Sequence, residues 1–406
     1  MNDRRDPPPS IGTSGASGTS GASSLKCPPS DPLGVLVSTA FVIRQAVSVT
    51  IDDSAVGRLA DDLVASRTNP PPWDSTLHFR DPGADGAPRT AGWILVLDAL
   101  NFCFWAQGPD PDVRWRVEWQ GEIHDGYAAL AAALSRAVAE GTPVWDAGWM
   151  AGLTASELRQ VMRPVAGHPE IPLFDARLAH LHELGAGLLA LQLEHAGNGA
   201  NHDPVTQLIE RAGGSAARLA RELVARFPSF DDVSVWIDTQ TGQERQIRFF
   251  KRAQILVADL AGALAGRSLG TFHDLASLTA FADYKVPQVL RQLGILAYAP
   301  ELADRIRRRQ LIAAGSREEI EIRAVTVQGC ERIRQALAER SEGDRIFTAT
   351  DVDWLLWNAG QTLPKGSEPY HRTVRSFTDT GLDADRGVTC HWSVSGRVRS
   401  FSFIHF

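Results

Sequence analysis

Apolar residues in this chain recur at helical intervals over stretches of single-helix length, and each stretch is cut short by proline or glycine. Between Leu173 and Leu193, the side chains of Leu178, Leu181, Leu184, Leu188 and Leu191 fall three or four positions apart, which places them on one helical face. The same rhythm ends at Gly141-Thr142-Pro143, at Phe227-Pro228, at Gly266 and at Gly294. Proline cannot continue a helix and glycine readily adopts the left-handed cap, so each break closes one element and frees the next to turn back on the core. No parallel βαβ rhythm, glycine-rich phosphate loop or fixed-period repeat is visible. The pattern predicts a mainly α fold of many helices with short connections and a minor β element.

Residues 31–67 carry apolar positions at Val35, Val42, Ile43, Val47, Val49, Val56, Leu59 and Leu63 that predict short helices, ended by Asn69-Pro70-Pro71-Pro72. Six of the eleven tryptophans lie between Trp93 and Trp149, interleaved with Arg114, Arg116, Glu118 and Asp125, which predicts a small strand pair and an aromatic wall. Helices are expected over Tyr127–Ala139, after the capping box Thr154-Ala155-Ser156-Glu157, over Val205–Ala212 and over Ser215–Arg226. Trp236 to Phe250 reads as a hairpin turning at Gln240-Thr241-Gly242-Gln243, with Val233, Val235 and Ile237 alternating on one side. Lys251 follows where strand gives way to helix. A further helix is expected over Leu275–Phe281, and Pro287 suits the first turn of the one after it. Another capping box, Ser316-Arg317-Glu318-Glu319, opens a long helix.

Charge and cysteine usage exclude several classes of function. The net charge of −7 argues against a long nucleic acid as the direct partner, because phosphate neutralisation needs basic surface. Arg305, Arg307, Arg308 and Arg309 cluster, but Glu301 and Asp304 precede them in the order favoured on a solvated helix. The four cysteines have no CxxC spacing, and His180, His182, His195 and His202 lack a metal-ligand spacing, so neither a disulfide framework nor a metal is expected. With no apolar run long enough for a membrane span, these features predict a cytoplasmic protein. Residues 1–31 are rich in Pro, Gly, Ser and Thr and read as a disordered tail.

The chemistry concentrates in residues 249–290. Phe249-Phe250-Lys251-Arg252-Ala253-Gln254 opens one apolar helix, and Phe281-Ala282-Asp283-Tyr284-Lys285-Val286-Pro287-Gln288 interrupts the next. A lysine and a carboxylate wedged among aromatics at chain breaks are costly to bury and suit the mouth of a pocket. The bland alternatives are that Lys251 snorkels to solvent and that Asp283 caps the helix near Pro287.

These two segments resemble the queuosine salvage family, the queuosine 5′-phosphate N-glycosylase/hydrolases. Five further pieces occur in the same order: Leu97-Asp98-Ala99-Leu100-Asn101-Phe102-Cys103-Phe104-Trp105, Ile171-Pro172-Leu173-Phe174, Phe227-Pro228-Ser229-Phe230 with Asp232, Asp353-Trp354-Leu355-Leu356-Trp357, and Pro369-Tyr370-His371-Arg372-Thr373. The resemblance implies a multi-helix globular fold like that of helix-hairpin-helix DNA glycosylases, with a catalytic domain over residues 32–377, in one core or two packed lobes, and a C-terminal extension over 378–406. It also implies a cofactor-free N-glycosyl hydrolase, expected to be a monomer, that cleaves queuosine 5′-monophosphate to queuine and ribose 5-phosphate. Cleavage builds positive charge at the anomeric carbon, so a fixed carboxylate is the most useful group on offer. Asp283 takes that role, as nucleophile or as activator of water, and Lys251 holds the ribose hydroxyls or orients Asp283.

The implied substrate has a 5′-phosphate, a ribose and a 7-deazaguanine carrying a cyclopentenediol. Asp98, Asp231 and Asp232 are candidates for the N–H edge of the base, with Asn101 and Tyr284 in the same matching segments, and Phe104, Trp105 and Phe230 are candidates to stack on it. Where the family pattern has arginine after Phe-Pro-Ser-Phe this chain has Asp231, so only Asp232 is carried over. His371 and Arg372 are the basic pair for the phosphate, and Asp353 is expected to support a helix N-terminus beside a tryptophan wall. Two other readings compete: a nucleic acid base glycosylase of helix-hairpin-helix type, and a non-catalytic helical module that binds a nucleotide.

Overall fold

The computed structural model describes residues 30–374 apart from 71, 84–85, 106–112, 196–202, 341–345, 364–366 and 368. Residues 1–29 of the expected tail and the extension at 378–406 lie outside the described residues. Among the described residues, no helix is long and apolar enough to cross a membrane.

The chain begins with α1 (Val35–Ile43), β1 (Val49–Ile51) and α2 (Asp53–Ala65). The expected run of short helices is thus interrupted by a strand, and Val47 beside it stands in solvent. Asp52 caps α2 by accepting from the amides of Ser54 at 2.8 Å and Ala55 at 3.2 Å. Next come α3 (Ala87–Ala99), the ribbon β2 (Arg116–Trp119) and β3 (Glu122–Asp125), and α4 (Gly126–Ala139). Both the strand pair and the alanine-rich helix fall where the sequence predicts them.

Two short helices, α5 (Ala147–Gly152) and α6 (Ala155–Val161), lead to α7 (Phe174–His195). The Thr154–Glu157 capping box is formed in both directions. α5 lies so close against α7 that a Cβ at Gly185 would collide with the backbone of Ala151. After α8 (Pro204–Arg211) and α9 (Ala216–Arg226) comes the hairpin β4 (Val233–Ile237) and β5 (Glu244–Arg248), paired through Ser234 and Ile247. Its valine stripe points outward, with Val235 52% and Ile237 60% exposed, while Ser234 and Trp236 face the core. Pairing Ser234 with the buried Ile247 fixes that choice, because strand side chains alternate between faces.

α10 (Lys251–Ala263) starts at Lys251. The helix expected over Leu275–Phe281 is replaced by one 3₁₀ turn, Leu275–Ser277, and an extended stretch. Side chains satisfy the backbone there in place of helical hydrogen bonds. The amide of Thr279 donates to the Gln254 side chain at 2.8 Å, and that of Phe281 to Asp353 Oδ1 at 2.8 Å. The chain finishes with α11 (Val286–Gln292), β6 (Leu296–Tyr298) antiparallel to β1, α12 (Pro300–Arg307), α13 (Arg317–Arg340) and α14 (Ala349–Gln361). On α12 the arginines pair locally, Arg305 with Glu318 at 2.7 Å and Arg308 with Asp304 at 2.8 Å, as expected of a solvated face. The apolar residues of the described chain gather in two large clusters and a small third one of Phe102, Cys103 and Trp105. One large cluster is built on α3, α4, α7, α9 and α10, and the other on α2, α11, α13 and α14.

Candidate active site

Where elements of the two large clusters meet, the segment after α3, β3, α4, α10, α14 and the stretch before α11 border a cavity of about 680 Å³, a size suited to a nucleotide. A smaller recess of about 70 Å³ adjoins it. Both are bordered by Asn101, Phe102, Cys103, Lys251, Asp283 and Tyr284, so the two catalytic candidates sit at the junction.

The floor is the C-terminal end of α3 and the irregular residues 101–105, with Cys103 at a left-handed φ of 48°. Four carbonyls at such an end lack helical partners. Arg177 of α7, fully buried, donates to the carbonyls of Leu100, Phe102 and Cys103, and through Nε to that of Pro172 at 2.9 Å. Arg252 of α10 donates to those of Ala99 and Ser229. Burial lowers these guanidiniums to about 9 and about 10, so both stay charged at neutral pH.

Lys251 is placed by its backbone. Phe250, at φ 47°, turns the chain from strand to helix, and the amide of Lys251 donates to Asp232 Oδ2 at 3.1 Å. Asp232 also forms a two-pronged pair with Arg323 of α13, at 2.9 and 2.5 Å, and Arg323 Nε donates to the Ala282 carbonyl at 3.3 Å. One buried ion pair therefore ties the segment that carries Lys251 to the segment that carries Asp283.

Asp283 Oδ1 accepts from the amides of Lys285 at 2.9 Å and Val286 at 2.8 Å, at the start of α11. The helix-capping role and the cavity-facing role coincide in this residue. Burial raises its pKa, while Lys251 and the two amides pull it back down. Lys251 is lowered by burial, and Asp283 opposes that shift. Each group thus opposes the shift that burial imposes on the other.

The remaining walls divide by charge. On one side Asp259, two turns along α10 from Lys251, accepts from Trp73 Nε1 at 3.0 Å and from the Tyr127 hydroxyl at 3.3 Å. Burial raises it to about 6, and burial with the neighbouring Asp259 charge raises Asp98 well above the usual carboxylate range. On the other side stand Arg114, 3.5 Å from Asp125, and Lys285, whose Nζ lies 5.5 Å over the ring of Tyr370. Trp354 and Trp357 of α14 stack at 5.5 Å and 9° along a third wall.

Of the residues expected from the sequence, Lys251, Asp283, Asn101, Phe104 and Tyr284 border the larger cavity, and Trp105 and His371 the smaller one. Asp98 lies behind Asn101, whose amide reaches it at 3.4 Å. Four expectations change. Asp232 borders neither cavity and meets Arg323 and the Lys251 amide behind the smaller one, and Asp231 is exposed. Phe230 packs in the core beneath Arg252, whose guanidinium lies 5.2 Å from its ring. Arg372 borders neither cavity and bridges its backbone to Leu311, while burial drives His371 to about 3, so it is uncharged at neutral pH. Asp353 holds the Phe281 amide, and Thr348 with Asp351 caps α14 in its place.

Sequence reasoning missed Asp259, Tyr127, Arg114 and Lys285 as cavity residues. Asp259 had a readable signal, a lone carboxylate on the apolar face of α10, whereas Arg114 and Lys285 reach the cavity only through tertiary folding.

A family model described as queuosine salvage protein matches residues 80–377. A relative from Sphaerobacter thermophilus is 47% identical over 349 residues, which is 86% of this chain and 99% of that protein. Relatives from Bos taurus, 33% identical, and Dictyostelium discoideum, 31% identical, cover 83% and 84% of this chain and 96% and 97% of their own lengths. All three bear the name queuosine 5′-phosphate N-glycosylase/hydrolase. With its cavity, its lysine and carboxyl at the junction of that cavity, and this extent of likeness, the chain belongs to the queuosine salvage protein family.

Proposed function

We propose that this protein hydrolyses the N-glycosidic bond of queuosine 5′-phosphate, releasing queuine and ribose 5-phosphate. The observation that carries the reading is a buried carboxyl, Asp283, fixed by two backbone amides beside Lys251 at the junction of a nucleotide-sized cavity. As the bond from the anomeric carbon to the base breaks, positive charge grows on the ribosyl group, and a carboxylate fixed by two backbone amides stabilises it with little reorganisation. Oxygen then reaches the anomeric carbon from water, one water proton goes to the departing base, and the hydroxyl completes ribose 5-phosphate. Asp283 either activates that water or bonds first to the anomeric carbon.

Trp354, Trp357 and Phe104 offer aromatic faces to the base, with Asn101 and Tyr284 beside the ribose. Arg114 and Lys285, with the Tyr370 hydroxyl near them, are suited to the phosphate. The reading includes a monomer in the cytoplasm acting on a free nucleotide, since one chain furnishes every wall of the cavity.

The test is mass-spectrometric detection of free queuine after incubation with queuosine 5′-monophosphate, with guanosine 5′-monophosphate and the Asp283→Asn variant as controls. Release by wild type, with a loss of roughly a thousandfold or more in the variant that still binds, is the expected result. A folded wild type that releases nothing, or a variant that turns over normally, overturns it.

A further inference from the structure

The smaller recess differs from the larger cavity in size and in lining. At about 70 Å³ it has room for a few water molecules, at about 10–15 Å³ each, but not for a base or a ribose. It is polar, for Glu319, Arg323, His371 and Thr373 border it and not the larger cavity. Two groups on its wall keep hydrogen-bonding capacity that the protein does not use. His371 is 6% exposed and uncharged at neutral pH, and among the described residues neither ring nitrogen has a hydrogen-bond partner. Asp283 accepts both of its backbone amides on Oδ1, and among the described residues no donor meets Oδ2. Polar groups withdrawn from bulk solvent without a protein partner are costly unless water meets them, so these two mark the recess as a water site.

Position decides what that water can do. The recess meets the larger cavity at Lys251, Asp283 and Tyr284, whereas Trp354, Trp357, Arg114 and Lys285, the groups suited to base and phosphate, border the larger cavity alone. With a nucleotide filling the larger cavity, water from the recess reaches the anomeric carbon past Asp283, on the side away from the departing base. We infer that the recess holds the water that cleaves the bond, positioned by His371 and activated by Asp283, so that hydrolysis is a single displacement with inversion. The water oxygen bonds to the anomeric carbon as the carbon–nitrogen bond breaks, and the electron pair of that bond leaves with the base. Asp283 takes one water proton and returns it to solvent, from which the base gains one, and the other water proton stays in the hydroxyl of α-ribose 5-phosphate. If Asp283 bonded to the carbon first, water would have to arrive on the side the base vacates, and configuration would be retained. This inference rests on the hydrolase reading and decides between its two routes.

The test is cleavage of queuosine 5′-monophosphate in aqueous methanol, since methanol fits the recess and its product, methyl riboside 5-phosphate, does not change anomer once formed. Wild type should give the α-methyl riboside, read by proton NMR. His371→Phe, which removes the polar ring atoms at similar size, should lower kcat by roughly tenfold or more with KM little changed. It should also shift the ratio of methanol to water products toward methanol, by roughly threefold. Thr373→Ile, which narrows the recess, should shift that ratio toward water. A residue with a structural role alone would lower stability and leave the ratio as it stands. The β-methyl riboside overturns the inference, as does queuine release with no methyl riboside, or a ratio that His371→Phe leaves unmoved. Should His371→Phe not fold, the anomer made by wild type and the ratio in Thr373→Ile decide the matter. A β product sinks this inference alone, whereas no queuine in water or in methanol sinks the hydrolase reading with it.

Discussion

Replacing Asp232 by asparagine should damage stability and turnover together, although Asp232 borders neither cavity. Its carboxylate pairs with Arg323 through two bonds, and both side chains are at most 5% exposed. Breaking a buried pair from one side leaves an uncompensated charge, at a cost of about 3–5 kcal/mol. Glu319 stands 3.5 Å from Arg323 and softens that cost, so the lower half of the range applies. At about 2 °C per kcal/mol for a large domain, Tm should fall by roughly 6–8 °C. The same change weakens the tie between the Lys251 amide and the Ala282 carbonyl, so kcat should fall as well. Scanning calorimetry on Asp232→Asn, Arg323→Met and the double variant completes the cycle. Because the double variant removes both charges of the Asp232–Arg323 pair, it should be more stable than the two single losses predict, by about 2 kcal/mol or more. Simple additivity of the two losses would refute the reasoning.

Removing the Lys251 charge by Lys251→Met should raise the pKa of Asp283. The acid limb of the pH–rate profile should then move to higher pH, and an unmoved limb counts against the electrostatic coupling of the two groups. Trp357→Ala should raise KM by about tenfold or more with a smaller effect on kcat, as loss of one stacking face implies. His371 titrates at about 3 when folded, below its unfolded value of about 6.5. Its contribution to stability is therefore complete above pH 6.5 and is lost as pH falls toward 3. Relative to His371→Gln, wild type should give up about 2 kcal/mol of stability between pH 7.5 and pH 5, read as a change in the Tm difference.

How far the fold was legible depended on whether local signals agreed with tertiary ones. Periodicity and caps placed α7, α9 and α10 because burial favours the same faces that propensity does. Leu275–Phe281 misled because its apolar spacing suits a helix, while the partners of its backbone, Gln254 and Asp353, lie far away in sequence. The valine stripe of β4 misled because an alternating pattern does not say which face is inward. At the site, the lysine and carboxylate were legible because charges amid aromatics at chain breaks stand out. Asp232 was legible as important and misread as a base contact, since a segment match carries no information on what the side chain meets. The basic wall at Arg114 and Lys285 was not legible, for each comes from a different element and neither has a local pattern.

The two guanidiniums beneath the cavity floor bear on how the phosphate of the proposed substrate would be received. The C-terminal end of a helix carries about half a negative charge and points it at whatever lies beyond. At the end of α3 that field would face the incoming nucleotide, but Arg177 and Arg252 cover it from below with full positive charges. The entrance thus presents a neutralised floor to an anion. Lysine in either place, a compact point charge, could not span several carbonyls set at different angles, so the planar fork of arginine is what lets this helix end lie under an anionic substrate.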